Sequence, residues 1–193
     1  MITVLKNSLV RYFAVLALIV AVASPVIGRA AQPHAVADFK MYLQVEGISG
    51  DVKAPGFENA IEVLAYSWGA SSSGSFSGGG GGQVGKANFQ DLSMTKYFDV
   101  STPPLLLALA KGTHLAKATL TLVRRVNGAD ESFMVFAATE VLVSSLSTGA
   151  SIGESPASLT ETLTLNFATA KLTYKSLDGT VGEVVLDVTG AAN

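Results

Sequence analysis

The 193-residue sequence predicts an all-β domain, a β-barrel or two-sheet sandwich of roughly eight strands with one short flanking α-helix near residues 103–111. Three observations lead there. Apolar and polar residues alternate with a period of two through most of residues 39–188, the spacing of half-buried strands. Clusters of Gly, Ser and Pro and one Asn-Gly pair separate those segments. Only one stretch carries helix start and stop signals together.

Taken in order, Phe39 to Val45 sets Phe39, Met41, Leu43 and Val45 against Lys40, Tyr42 and Gln44, so one face is buried. Gly47 to Asn59 contains Gly47, Gly50, Pro55 and Gly56 and reads as a long loop. Ala60 to Trp68 places Ile61, Val63, Ala65 and Ser67 on one face and Glu62, Leu64, Tyr66 and Trp68 on the other. Both faces are mostly apolar, so a second sheet, a helix or another subunit covers each side. Gly69 to Gly85 is too poor in side chains to pack and reads as a flexible loop, after which Lys86 to Phe98 reads as a strand.

The helix comes next. Thr102 suits the N-cap, Pro103 the first helical position, Lys111 the last turn and Gly112 the left-handed C-terminal position. Leu105, Leu106, Leu107 and Leu109 point in nearly every direction, so the helix is buried or a neighbouring molecule covers its outer side. Ala118 to Val126 then runs into Asn127-Gly128, a strong hairpin signal, and Glu131 to Val143 returns. Ser144 to Ser158 reads as another loop. Beyond it Leu163, Leu165 and Phe167 share one parity while Leu172 and Tyr174 have the other, which places a bulge or corner across Ala168 to Ala170. Leu177-Asp178-Gly179 turns the chain, and Val181 to Val188 forms the last strand.

Composition bounds the function. Hydrophobic residues make up 49% of the chain and charged residues 15%, which excludes an intrinsically disordered protein. A net charge of -2 gives no electrostatic reason for a nucleic-acid partner. With no cysteine there is no disulfide, thiolate nucleophile or cysteine metal site. The first 30 residues hold 21 hydrophobic ones, with Lys6 and Arg11 ahead of an uncharged run from Tyr12 to Gly28 and small residues after it. That is the pattern of a secretory signal peptide over residues 1–30, cleaved after Ala30, with a membrane anchor as the rival reading. Pro25 and Gly28 weaken the helix where an anchor would continue. Residues 31–38 then read as a tether and 39–193 as the domain. All 15 acidic residues but only 10 of the 13 basic ones lie beyond residue 30, so the exported chain carries -5. Its expected place is the periplasm or the extracellular space, the alternative being a cytoplasmic pool.

Chemistry-bearing motifs are sparse. Gly80-x-Gly82-x-x-Gly85 and Gly80-x-x-x-x-Gly85-Lys86 match phosphate-loop spacings, but five consecutive glycines match any spacing, and position 87 is Ala before a strand-like stretch. His34 lies in the tether, and His114 reads as a surface histidine just beyond the helix. Arg124 and Arg125 read as a solvated strand end facing Asp130 and Glu131. Trp68 and Tyr66 read as core, with ligand stacking the alternative. No catalytic, cofactor-binding or metal residue is expected. The competing enzyme reading is an exported hydrolase or carbohydrate-binding domain using carboxylates near Asp91 and Glu140.

Five segments together carry a family resemblance: residues 63–69 (VLAYSWG), 85–99 (GKANFQDLSMTKYFD), 101–105 (STPPL), 140–149 (EVLVSSLSTG) and 163–168 (LTLNFA). In that order and at that spacing the chain resembles the Hcp family, the tube proteins of bacterial type VI secretion systems, from about Phe39 to Tyr174. The resemblance implies a two-sheet barrel with one flanking helix, six copies closing into a ring, and rings stacking into a tube whose lumen carries effector proteins. Sheath and spike proteins of the apparatus are further implied partners. By position, the loop with Gly47, Gly50, Asp51, Lys53, Pro55 and Glu58 matches the family's inter-ring loop, and Ser67 matches a lumen-facing serine. The helix residues Leu105, Leu106 and Leu109 become the candidate ring interface. The leader is the departure, since tube subunits of this family normally lack one.

Overall fold

The computed structural model describes residues 39–75, 83–150 and 159–189. The leader, the tether with His34, and the glycine run through Gly80 and Gly82 lie outside the described residues. Nine strands and one helix follow in sequence. They are β1 (Phe39–Val45), β2 (Ile61–Ser67), β3 (Ala70–Ser75), β4 (Gln83–Phe89), β5 (Leu92–Tyr97), α1 (Thr102–Lys111), β6 (Leu115–Val126), β7 (Ala129–Thr148), β8 (Thr160–Lys175) and β9 (Val181–Asp187).

The main sheet runs β5-β2-β1-β6-β7-β8-β9, and a further β5–β8 pairing closes its first six strands into an antiparallel barrel. The all-β barrel with one short helix is therefore the observed fold. Inward residues of all six barrel strands form one core, including Leu43, Ile61, Met94, Leu120, Phe136, Val141 and Leu165. β8 serves two partners in succession. Thr160 to Leu165 pairs with β5, and Thr169 to Lys175 pairs with β9. The inward set changes from Leu163, Leu165 and Phe167 to Ala170 between those halves, so the expected corner across Ala168 to Ala170 is present.

Several local expectations change. Gly69 to Gly85 is not simply a loop: Ala70–Ser75 and Gln83–Phe89 pair as a separate two-stranded sheet. The stretch from Lys86 to Phe98 is two strands, broken at Gln90 and Asp91. Strand β7 continues to Thr148, so residues 144–148 belong to the barrel rather than to a loop. In β2 the register against β5 shifts between Val63 and Ala65. The extra residue reverses parity, so Ser67 no longer shares a face with Ile61 and Val63.

Helix α1 ends as expected. Gly112 adopts φ +59°, its N–H reaches Leu109 and the next N–H reaches Ala108, closing the last turn. Its start differs by one residue, because Ser101 occupies the N-cap position without a side-chain capping bond and Thr102 is already helical. The hydroxyl of Thr102 points into the barrel instead.

Arg124 is buried rather than solvated. It donates to the carbonyls of Lys175 and Ser176 and lies 5.2 Å above the Phe133 ring, tying β6 to the end of β8. Arg125 does face Asp130, at 3.6 Å on the surface. Nearby, Lys175 sits 2.6 Å from Glu131 and holds its carboxyl below the ordinary value of 4.5, chiefly through that hydrogen bond. A depressed carboxyl stabilises the folded state above its unfolded pKa and ceases to do so as the pH falls through the folded one. Lys175→Met should therefore shrink the acid-induced drop in melting temperature below pH 4.5, measured against the parent chain by calorimetry.

Candidate functional site

The residues singled out from sequence fall on three surfaces. The first is the loop between β1 and β2. It folds back on the barrel, with Phe57 stacked on Tyr42 at 4.5 Å and Val52 and Ala54 packed beside them. Asn59 and Gly50 join its two limbs, Gly50 N–H donating to the Asn59 carbonyl at 2.8 Å. Gly47, Asp51, Lys53, Pro55 and Glu58 are exposed, whereas Gly50 is buried in the base. A cleft of about 390 Å³ separates the loop from β5, lined by Asp51, Glu62, Phe98 and Asp99 among others.

The second surface is the exposed face of β2 after its bulge. Ser67 lies on it opposite Ser93, while Trp68 is half-buried and Tyr66, paired with Met94, stays 38% exposed rather than joining the core as expected. Trp68 packs on Phe136 at 4.9 Å and also on Phe89 and Phe167, which makes it core. Tyr66 donates to the Met134 sulfur at 3.4 Å.

The third surface is α1. Leu105 and Ala108 are buried in the barrel core and Leu109 packs partly against it. Leu106 and Leu107 are 51% and 53% exposed, so they form the outer face of the helix; Phe98 and Val100 before it are exposed as well. Of the three leucines read as an interface, Leu105 belongs to its own core, and Leu107 takes its place on the outside. A helix with three buried positions among leucines pointing all round leaves an uncovered apolar strip on its far side.

Beneath that helix lies a cluster that sequence reasoning missed. Lys96 and Glu161 face each other across the β5–β8 ladder, both almost fully buried. The Lys96 ammonium donates to Glu161 Oε1 at 2.6 Å, to the Tyr97 carbonyl at 2.7 Å and to Asp99 Oδ1 at 2.9 Å. Those three short bonds account for its three protons, and the Thr102 hydroxyl lies 3.3 Å from the same nitrogen. The Thr102 hydroxyl donates to the same Glu161 oxygen at 2.7 Å, and the Ser101 hydroxyl donates to Asp99. Glu161 Oε2 is buried without a hydrogen-bond partner among the described residues. The signal was present in the pattern: Lys96 follows Leu92 and Met94 at inward parity, and Glu161 precedes Leu163 and Leu165 likewise.

The carboxylates of the enzyme reading stand in separate settings. Asp91 accepts from the Ser144 hydroxyl at 2.7 Å and the Asn166 amide at 2.8 Å, whereas Glu140 is an exposed residue at φ +50° placed 3.7 Å from His114. Gly85 and Lys86 lie inside β4, so no helix N-terminus follows the glycine run to cradle a phosphate.

Comparison with known proteins agrees with this architecture. Residues 42–174 match the family described as type VI secretion system effector, Hcp. The chain is 46% identical to protein hcp1 of Pseudomonas aeruginosa over 136 residues, which is 70% of this chain and 82% of that protein. Among solved structures, Hcp1 from Salmonella typhimurium superposes with a TM-score of 0.66 at 24% identity, covering 78% of this chain and 95% of that one. A type VI secretion system effector from Yersinia pestis gives 0.62 at 21% identity, covering 77% and 99%. These two likenesses speak to the fold, and the family match together with the Pseudomonas relative speaks to descent. The chain belongs to the Hcp family, the tube subunits of type VI secretion systems.

Proposed function

We propose that this chain assembles head to tail with copies of itself into six-membered rings that stack into a tube, and that it carries effector proteins in the lumen without catalysing a reaction. The exposed pair Leu106 and Leu107 carries the reading. Two adjacent exposed leucines on an ordered helix are an apolar surface that a second copy would remove from water. The exposed loop residues Asp51, Lys53, Pro55 and Glu58 are assigned to contact with the next ring, and the Ser67 face to contact with cargo. Sheath and spike proteins are the further partners this role requires. The separate hydrogen-bond settings of Asp91 and Glu140 favour this reading over a hydrolase.

Leu106→Asp combined with Leu107→Asp is the direct test. Both side chains project outward, so the folded monomer should keep its circular-dichroism spectrum and melting temperature while rings vanish from negative-stain images and from sedimentation profiles. Rings as abundant as in the parent chain would defeat the assignment of α1 to the ring contact.

Export through residues 1–30 is the second part of the proposal, supported by the basic start, the uncharged run from Tyr12 to Gly28 and the small residues after it. Mass analysis of secreted and periplasmic fractions is expected to find a mature N-terminus at Ala31. An intact cytoplasmic pool released only by a working secretion apparatus would overturn it.

A further inference from the structure

We propose that Lys96, Glu161 and Thr102 are positioning residues for assembly: the buried ion pair fixes the first turn of α1 to the barrel seam and so sets how Leu106 and Leu107 face outward. The inference rests on the reading of α1 as the ring contact.

Three observations carry it. The pair sits on the β5–β8 ladder that closes the barrel, and the Thr102 hydroxyl joins it from the first residue of the helix. Ser101 makes no side-chain capping bond, because its hydroxyl is directed to Asp99, itself held by Lys96. The start of α1 is thus held through this cluster rather than by an ordinary cap. The segment from Lys96 to Thr102 also alternates its allegiance. Lys96, Asp99, Ser101 and Thr102 turn into the cluster, while Phe98 and Val100 are left on the surface. Holding the polar half in place therefore orients the apolar half.

Energetics separates this role from simple stabilisation. A buried ion pair gains little over two well-packed apolar side chains of similar volume, because its desolvation cost offsets the attraction between the charges. What the pair supplies is a single geometry, and here that geometry ends at the helix face. The cluster holds two carboxylates against one ammonium, at 2.9 Å from Asp99 and 2.6 Å from Glu161.

The test compares the parent chain with Lys96→Met/Glu161→Leu, Thr102→Val and Thr102→Ser, reading melting temperature and the fraction of rings by sedimentation velocity. The double variant is expected to melt within about 5 °C of the parent or above it. Its ring association should nonetheless weaken about tenfold or more. Thr102→Val should move the same way, and Thr102→Ser, which restores the hydroxyl, should assemble as the parent does. If the double variant fails to fold, the two Thr102 variants decide the matter. Normal assembly by the variants, or ring loss that merely tracks loss of folded protein, would overturn the positioning role. A parent chain that forms no rings at all would overturn the ring reading beneath it, and the positioning role with it.

Discussion

Replacing Lys96 alone by methionine is expected to lower the free energy of unfolding by about 3–5 kcal/mol, the cost of stranding a buried charge without its partner. Methionine reproduces the length of the stem and none of the charge. Glu161 would then be left in a water-excluded site with no cation beside it, Asp99 at the edge of the cleft would lose its ion-pair partner, and the Tyr97 carbonyl would lose its donor. Against a typical total of about 5–15 kcal/mol, a loss of that size removes much of the margin of the fold. Urea titration should report a lower midpoint with an unchanged slope, since the area exposed on unfolding hardly differs. A loss under about 1 kcal/mol would overturn that expectation. Adding Glu161→Leu to the same chain should restore most of the loss, the pattern of an interaction rather than of two independent defects.

The second large effect lies at the base of the β1–β2 loop. A Cβ on Gly50 would stand 2.4 Å from the Ala60 carbonyl oxygen and 2.8 Å from the carbonyl carbon of Ala60 and the Cα of Ile61. All three are backbone atoms at the start of β2, so none can rotate aside. Gly50→Ala must push the two limbs apart, stretching the Gly50–Asn59 hydrogen bond and loosening the Phe57–Tyr42 stack. The expected cost is about 3 kcal/mol. That corresponds to a melting temperature lower by about 6–12 °C. Gly56→Ala is the control: its φ of +82° resists alanine, but nothing lies within 4 Å. There the loss should be near 1 kcal/mol. Equal melting of the two variants would refute the close-approach account.

Much of this architecture is legible in the sequence because period-two alternation is a direct record of burial. β5 and the first half of β8 follow it, and the corner in β8 is visible as a change of parity, whereas β1 and β6 bury Tyr42, Thr121 and Val123 from the other face and leave Phe39 exposed. What alternation cannot record is a strand built from small residues. Ala70–Ser75 is serine, glycine and alanine, with no large apolar residue whose spacing would mark its pairing with β4. A single inserted residue is equally silent: the bulge between Val63 and Ala65 moves Ser67 off the face of Ile61 and Val63. The candidate site divides along the same line. The C-terminal end of α1 is set by a local requirement, a glycine able to take positive φ, and is readable. The N-terminal end is set by Glu161, a side chain 59 residues further along, which draws the Thr102 hydroxyl away from capping. Consecutive leucines likewise do not reveal which of them turn inward, since every phase of the helix offers an apolar face.

The barrel seam has one further consequence, in time rather than in space. Lys96 and Glu161 stand 65 residues apart in sequence, and the ladder they occupy joins β5 to β8 only after β6 and β7 have been laid between them. Non-local pairings of this kind belong to the slow end of two-state folding, on the order of milliseconds to seconds. A sheet without that seam would present two unpaired edges and an exposed core, the state in which like chains can join by the wrong edges.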